Sequence, residues 1–327
     1  MSETPETMPA IALRWHRDGT RAALATVIQT WGSAPRPVGS QLAISGQGDI
    51  MGSVSGGCVE GAVVVEALEA LEAGAPRLLE YGVSDDEAFA VGLACGGTIR
   101  ILVEPVGDAL PEDMLVELVA KTDARAAVAY EVNTETWARR LVTPDEAHGA
   151  RFISDKSGFE RDVFVAIHNP PLRMAIVGAV HIAQPLVAMA RLAGFDPVLI
   201  DPREAFASDT RFPGEVLIHD WPDEALQAFA PDHRCAVVTL SHDPKIDDPA
   251  LTVALRSQAF YIGALGSTRT HAKRVDRLTQ AGFAPEDIAR IQAPVGLDIG
   301  GKSPAEIAVS IMAQIILQLR GPKGRAA

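Results

Sequence analysis

Cysteine is scarce in this sequence, and long apolar runs are missing from it. Three cysteines among 327 residues, an odd number, do not make a disulfide framework and indicate a reducing, cytoplasmic compartment. No apolar run approaches the length of about 18 residues that crosses a bilayer. The polar, acidic start of the chain lacks the features of a signal peptide. The eight histidines and three cysteines show no zinc-type spacing, which argues against a protein metal site.

Basic residues are in the minority. The chain has 42 Asp and Glu against 29 Lys and Arg, a formal net charge of −13. Such a balance argues against binding to nucleic acid or to an anionic membrane. With 47% hydrophobic and 22% charged residues, the composition is typical of a soluble globular protein. Because 327 residues exceed one average core, we expect two domains.

Two prolines mark the expected domain boundary, in the stretch His168-Asn-Pro-Pro171. Residues 1–168 carry runs typical of a mixed α/β domain with a mostly antiparallel second half. Residues 169–327 alternate between strands and helices, including a helix expected from Pro249 to Arg256. This alternation predicts a Rossmann-like, doubly wound parallel sheet, so the expected fold class is α/β throughout.

A Gly-Gly-Cys motif follows a short apolar run in the first half of the chain. From Val59 to Gly74, apolar residues recur at three- and four-residue steps, which predicts a helix. Cys58 then falls in the first turn, where free N–H groups and the helix dipole favour a phosphate or a thiolate. A second glycine-flanked cysteine follows, and the candidate ligand contacts here are Ser55, Gly56, Gly57, Cys58, Cys95, Gly96 and Gly97. The alternative is that the glycines mark turns and each cysteine is a small buried hydrophobic residue.

Arg36 lies between two prolines in the loop from Trp31 to Gly39. The prolines fix the backbone on either side, which makes Arg36 a candidate anion contact. A solvent-facing arginine is the alternative.

A dinucleotide-type turn opens the second domain. Gly178 follows a strand, His181 lies in the turn, and Asp201 follows about twenty residues later, as in the Rossmann fingerprint. Val180 replaces the middle glycine that lets the backbone approach a pyrophosphate. The turn therefore favours the fold and argues against conventional NAD(P) binding.

Further polar residues follow the next buried strands. Ligands of open α/β sheets bind at the carboxyl ends of the strands. The candidate contacts there are Ser241, His242, Asp243, Gly266 and Ser267. Three adjacent residues cannot form a hydrolytic triad, because neighbouring side chains diverge. A structural turn is the alternative for His242 and Asp243.

The stretch from Gly296 to Ser303 matches a phosphate-loop string, with Lys302 in the lysine position. Pro294 weakens the strand that such a loop needs, and no acidic magnesium partner follows on a later strand. A glycine-rich turn that leads into a capped helix at Ser303 is the favoured interpretation, since Glu306 completes a capping box.

The ordered set of motifs resembles the XdhC/CoxI family of molybdenum-hydroxylase accessory proteins. The resemblance spans most of the chain and is carried by Thr30–Gly39, Gly52–Glu60, Cys95–Gly97, Ala179–His181, Ser241–Asp243, Gly263–Ser267 and Pro294–Gly300. The family's helix-opening turn usually reads Gly-Ala-Gly-His, so Val180 departs from that pattern also.

The resemblance implies a cytoplasmic, dimeric chaperone for molybdenum cofactor, as molybdopterin or its cytosine dinucleotide form, without turnover chemistry of its own. Such proteins protect the cofactor while a cysteine desulfurase replaces an oxo ligand with sulfido. They then deliver it to an apoenzyme of the xanthine dehydrogenase or carbon monoxide dehydrogenase and aldehyde oxidase type. Cys58 or Cys95 would contact molybdenum or carry sulfur. The alternative function is an NAD(P)-dependent oxidoreductase that uses the second domain.

Overall fold

The computed structural model describes residues 6–32, 36–82 and 97–321, and these form two units that divide between Pro170 and Pro171. In the first unit, one antiparallel sheet has the order β3-β2-β1-β5-β4 and a second has the order β7-β6-β9-β8. Its strands are β1 Ala22–Trp31, β2 Gln41–Ser45, β3 Ile50–Gly52, β4 Arg77–Tyr81, β5 Thr98–Pro105, β6 Val128–Asn133, β7 Arg139–Val142, β8 Gly158–Glu160 and β9 Val163–His168. Its helices are α1 Met8–Arg17, α2 Glu60–Ala73, α3 Glu112–Asp123 and α4 Gly149–Ser154.

Strand β1 is apolar on both faces because both faces of its sheet are covered. Ala23, Ala25 and Val27 pack with the residues of α2, whereas Leu24 and Ile28 pack in a second cluster that includes residues of α1 and α3. Helix α2 ends where Gly74 takes the left-handed conformation, as the glycine in the sequence predicts. It begins at Glu60, so Cys58 lies two residues before the helix and not in its first turn.

The second unit contains a six-stranded parallel sheet in the order β12-β11-β10-β13-β14-β15. Its strands are β10 Leu172–Val177, β11 Phe195–Ile200, β12 Val216–Ile218, β13 Cys235–Thr239, β14 Tyr261–Ala264 and β15 Ile291–Gln292. Its helices are α5 Ala183–Leu192, α6 Pro222–Phe229, α7 Pro244–Arg256, α8 Thr268–Gln280, α9 Pro285–Ile288 and α10 Pro304–Arg320. The predicted Rossmann-like sheet is thereby confirmed.

Helices cover both faces of this sheet. Residues of α5 and α10 pack in one core, and residues of α6, α7, α8 and α9 pack in the other. The chain runs outward from β10 to β12 and then returns to β13 on the other side of β10. The order therefore reverses between β10 and β13, and a crevice at the carboxyl ends of these two strands is where open α/β sheets bind ligands.

Helix α7 begins five residues earlier than the sequence predicts. Pro249 lies inside the helix and not at its start. The helix begins at Pro244, because the side chain of Asp243 accepts the Lys245 N–H at 2.9 Å and caps the first turn. In the part of the chain that the structure describes, no helix is long and apolar enough to cross a membrane.

Candidate functional site

The loop from Ser53 to Cys58 wraps around the carboxylate of Glu60. One carboxylate oxygen accepts the Ser53 hydroxyl at 2.8 Å and the Ser55 N–H at 2.9 Å. The other accepts the Gly57 N–H at 2.8 Å and a short bond from the Ser55 hydroxyl. The N–H groups of Val54 and Gly56 complete the set. We call this arrangement, Ser53 to Gly57 around Glu60, the carboxylate clasp.

The clasp makes Glu60 the internal anion of its own loop. Burial by itself raises the pKa of Glu60, but the hydrogen bonds from Ser55 and Ser53 outweigh it and lower that pKa to about 2. Glu60 is therefore ionised throughout the physiological range. The N–H groups of Ser55, Gly56 and Gly57, which the sequence suggested as phosphate contacts, therefore already have an acceptor within the protein.

Cys58 follows the clasp directly. Its side chain is half-buried, and it packs against the apolar core that α2 shares with its sheet. Arg36 lies beside the same loop, since its Nε–H donates to the Ser53 carbonyl at 3.4 Å. The structure thus brings Arg36 together with Ser55, Gly56, Gly57 and Cys58. Cys95 and Gly96 lie outside the described residues, and Gly97 directly precedes β5.

In the second unit, the turn after β10 touches the turn after β13. Gly178 has φ +99°, and a Cβ at this position would lie 2.8 Å from the Ser241 nitrogen. Val180, two residues further on, occupies the position of the middle glycine of the Rossmann fingerprint. Its side chain packs against the core. Its neighbour His181 is exposed. Gly178 and Ser241 therefore meet at the point where the strand order reverses, and the exposed His181 lies in the same turn as Gly178.

Asp201 is fully buried, and both of its oxygens are occupied. They accept the Ala179 N–H at 2.8 Å, the Arg203 N–H at 3.0 Å and two guanidinium bonds from Arg203 at 2.8 Å each. Burial raises the pKa of Asp201, but these bonds outweigh burial and lower it, so the group is ionised. The guanidinium of Arg203 also stacks on Phe206, with 4.0 Å to the ring centroid. The acidic residue expected to bind a ligand is thus engaged by Arg203, which the sequence analysis missed.

The motif after β13 divides between a turn and a helix cap. The Ser241 hydroxyl donates to Asp247 at 2.6 Å, and Asp243 caps α7. His242 takes φ +61° and is exposed. The alternative of a structural turn therefore accounts for Asp243, whereas the His242 side chain is available to a ligand.

The loop after β14 lies on the same side of the sheet. Gly266 takes φ +138°, and Ser267 is the N-cap of α8, where its hydroxyl accepts the Thr270 N–H at 3.2 Å. The Ser267 side chain is therefore partly committed to the helix start.

The stretch that matched a phosphate loop is a capped helix start. The N–H groups of Lys302 and Ser303 both donate to Glu306 at 2.9 Å, and Ser303 accepts the Glu306 N–H. This is the predicted capping box. The N–H groups that a phosphate would need are therefore already bonded.

Within residues 6–32, 36–82 and 97–321, no group of three or more His, Cys, Asp and Glu side chains is arranged to hold a metal ion. The described cysteines differ in exposure. Cys58 is half-buried in its loop, whereas Cys235 is fully buried in β13, where burial raises the pKa of its thiol to about 12.

The fold and these loops define a two-unit α/β protein with a Rossmann-like second unit and a Gly-Gly-Cys loop in the first. The XdhC Rossmann domain profile matches residues 174–315, and that of the XdhC and CoxI family matches residues 15–82. The chain belongs to this family, and the resemblance inferred from its motifs is confirmed.

The matches to similar proteins cover nearly the whole chain. It is 29% identical to the Escherichia coli molybdenum cofactor insertion chaperone PaoD, across 96% of this chain and 89% of that protein. It is 28% identical to a probable xanthine dehydrogenase subunit from Bacillus subtilis, across 91% and 93%. A solved structure described as a xanthine dehydrogenase from Bacillus halodurans is 26% identical, with a TM-score of 0.78 and 98% of each chain covered.

Proposed function

We propose that this protein is a molybdenum cofactor-binding chaperone, an accessory factor and not a catalyst. The observation that carries the proposal is the similarity to a molybdenum cofactor insertion chaperone over 96% of the chain. The cofactor would be molybdopterin or its cytosine dinucleotide form. It is cargo here, so the protein needs to hold it, shield it and release it.

Cys58 is the proposed molybdenum contact within the described residues. A thiolate is a soft ligand suited to a sulfur-bound metal, and the Cys58 side chain is half-buried in a loop that Glu60 fixes. A fixed loop holds its ligand atom in place before the cargo arrives. Cys95, which lies outside the described residues, is the second candidate for contact with molybdenum or for carrying sulfur.

The second unit, taken by itself, has a candidate site for an anionic group. Helix α5 begins at Ala183 without a side-chain cap, and no acceptor for the N–H groups of Val180 and His181 lies among the described residues. Such N–H groups at a helix start suit a single phosphate group, which does not need the close backbone approach that a pyrophosphate makes at the middle glycine. We propose the turn from Gly178 to His181 and the exposed His242 as its contacts, with Ser241, Gly266 and Ser267 at the same sheet edge.

In the proposed sequence of events, the protein receives the cofactor and protects it while a cysteine desulfurase replaces an oxo ligand with sulfido. It then delivers the product to the apoenzyme of a molybdenum hydroxylase. Xanthine dehydrogenase and the carbon monoxide dehydrogenase and aldehyde oxidase type are the proposed clients. We also propose that the chain works as a homodimer.

The competing function is an NAD(P)-dependent oxidoreductase, for which the Rossmann domain match is the argument. Two features weigh against it. Val180 stands where a glycine lets backbone approach a pyrophosphate, and the Asp201 carboxylate, which would bind a ribose, is held by Arg203. NAD(P) is therefore not the proposed ligand.

The test is retention of molybdenum cofactor released from a donor enzyme, measured as pterin and metal that remain with the protein after gel filtration. The variants are Cys58→Ala and Cys95→Ala, with Cys235→Ala as the control because Cys235 is buried in the sheet. We expect stoichiometric retention by the wild type and the control, and loss in one of the other two. Failure of the folded wild type to retain pterin would sink the proposal.

A further inference from the structure

A buried ion pair lies under the carboxyl edge of the parallel sheet. Asp247, in the first turn of α7, is 1% exposed, and Arg274, on α8, is 2% exposed. The Arg274 Nη2 atom is 3.6 Å from the Asp247 Oδ2 atom. Because each residue belongs to a different helix, the pair links α7 to α8 at the level of the loops that follow β13 and β14.

Each member of the pair also holds one of these two loops. Asp247 Oδ1 accepts the Ser241 hydroxyl at 2.6 Å and the Ser241 N–H at 3.3 Å. Arg274 Nη2 donates to the Leu265 carbonyl at 3.0 Å, one residue before Gly266. A continuous set of contacts thus runs from Ser241 through Asp247 and Arg274 to Leu265.

The pair is poorly designed for stability alone. Asp247 Oδ2 and the Nε and Nη1 atoms of Arg274 are buried without a hydrogen-bond partner in the described part of the chain. Such unsatisfied groups are costly, and buried ion pairs are often no more stable than apolar side chains of similar volume. What the pair does provide is a fixed spacing between two loops.

We propose that Asp247 and Arg274 are positioning residues that set the separation of the Ser241–Asp243 and Gly266–Ser267 loops for the bound ligand. The identity of that ligand as molybdenum cofactor rests on the proposed function. Because both side chains are buried, the pair itself would not touch the ligand. It acts on binding through Ser241 and Leu265, which place the exposed His242 and the turn at Gly266.

A second, more exposed ion pair between the same two helices provides a matched control. Asp248 and Arg277 also pair between α7 and α8, with Nη2 to Oδ1 at 3.0 Å, but their side chains are 21% and 37% exposed. The other hydrogen bond of Arg277 goes to the Lys273 carbonyl, within α8 and not to a loop. The test compares Asp247→Asn/Arg274→Met with Asp248→Asn/Arg277→Met. Both double variants remove one positive and one negative charge from the same two helices.

Amide hydrogen exchange of the unliganded protein is the first measurement. We expect exchange in the peptides that contain Ser241 and Leu265 to rise at least about tenfold in Asp247→Asn/Arg274→Met, because the loops open locally, and to stay within about twofold in the control. Equal exchange in the two variants, or none above wild type, would overturn the positioning role whatever the ligand is.

Binding of molybdenum cofactor released from a donor enzyme is the second measurement, followed by pterin fluorescence. A displacement of ligand contacts by a fraction of an ångström predicts a Kd at least about tenfold higher in the first variant than in the control. Loosened loops with an unchanged Kd would overturn the link to binding. No binding by the wild type would overturn the proposed function, while the exchange result would still decide the positioning role.

If Asp247→Asn/Arg274→Met does not fold, Arg274→Lys takes its place in both measurements. This variant keeps the positive charge beside Asp247 but loses the planar guanidinium that reaches the Leu265 carbonyl. We then expect amide exchange to rise more above its wild-type rate in the peptide that contains Leu265 than in the peptide that contains Ser241. Exchange at wild-type rates in both peptides would contradict the proposal.

Discussion

The carboxylate of Glu60 accepts the N–H of Gly57 at 2.8 Å, three residues earlier in the chain. Gly57 has φ +112°, a conformation that glycine adopts readily, and no atom lies within 4 Å of where its Cβ would be. The glycine is thus needed for the turn of the backbone and not for space. This relationship orients the segment that carries Cys58, and several measurable consequences depend on it.

Glu60→Gln is expected to lower the free energy of unfolding by about 2–3 kcal/mol, because a buried charged acceptor is lost from several hydrogen bonds. Urea unfolding at neutral pH measures the change. Glu66→Gln, at a residue of the same helix whose side chain is 38% exposed and pairs with Arg77, is the control and should stay within about 0.5 kcal/mol. Similar losses in both variants would mean that the clasp does not hold the loop.

The stability difference between wild type and Glu60→Gln should also depend on pH. The pKa of Glu60 is about 2 in the folded protein against an ordinary 4.5, so the unfolded chain takes up the proton first. The stabilisation by Glu60 is therefore full above about pH 4.5 and declines as the pH falls towards 2. Unfolding curves of both proteins between about pH 7 and 2.5 span this range of protonation. A difference that stays constant across the range would contradict the lowered pKa.

Gly178→Ala is expected to cost at least about 3 kcal/mol, since the positive φ is strained and the new Cβ meets the Ser241 backbone at 2.8 Å. Gly194→Ala isolates the strain, because Gly194 has φ +81° and open space around its Cβ position. Its cost should be about 1–2 kcal/mol. Equal costs, measured by urea unfolding, would show that the two turns do not press on each other.

The two described cysteines should differ in reactivity. In a Cys95→Ala background, Cys58 should react with a maleimide in the native protein, because its side chain is half-buried. Cys235 should react only after unfolding, since it is fully buried and the pKa of its thiol is raised to about 12. Peptide mass spectrometry after timed labelling identifies the site. Protection of native Cys58 at the level of Cys235 would argue against its role as a metal contact.

The sequence allowed the architecture of the second unit to be predicted because its elements are separated by clear local signals. The capping box at Ser303 and Glu306 and the stop at Gly74 depend on residues a few positions apart, and both are present. The start of α7 was predicted incorrectly, because Pro249 is a strong local signal whereas the cap by Asp243 depends on how the chain leaves β13. A helix start is thus predicted more securely where a capping box supports it, as at Ser303, than where a single capping side chain does, as at Asp243.

The residues that organise the site were harder to predict. In the sequence, Glu60 looks like an ordinary acidic residue in the first turn of a helix. Only the path of the backbone reveals that the N–H groups of four successive residues, Val54 to Gly57, converge on its carboxylate. Asp201 was predicted from its distance to Gly178, but nothing in that spacing indicates that Arg203 folds back onto it. Asp247 and Arg274 lie on different helices, and sequence spacing carries no information about such pairs.

A loop held by its own carboxylate has one further consequence for a carrier protein. The shape of the segment before Cys58 is set by Glu60, a group of this chain itself, so it needs no contact with cargo. Loading then requires no folding of the loop, and unloading leaves no disordered segment behind. In the proposed role, the empty protein would return from its client ready for the next cofactor, and the ease of hand-over would depend on contacts with the cargo alone.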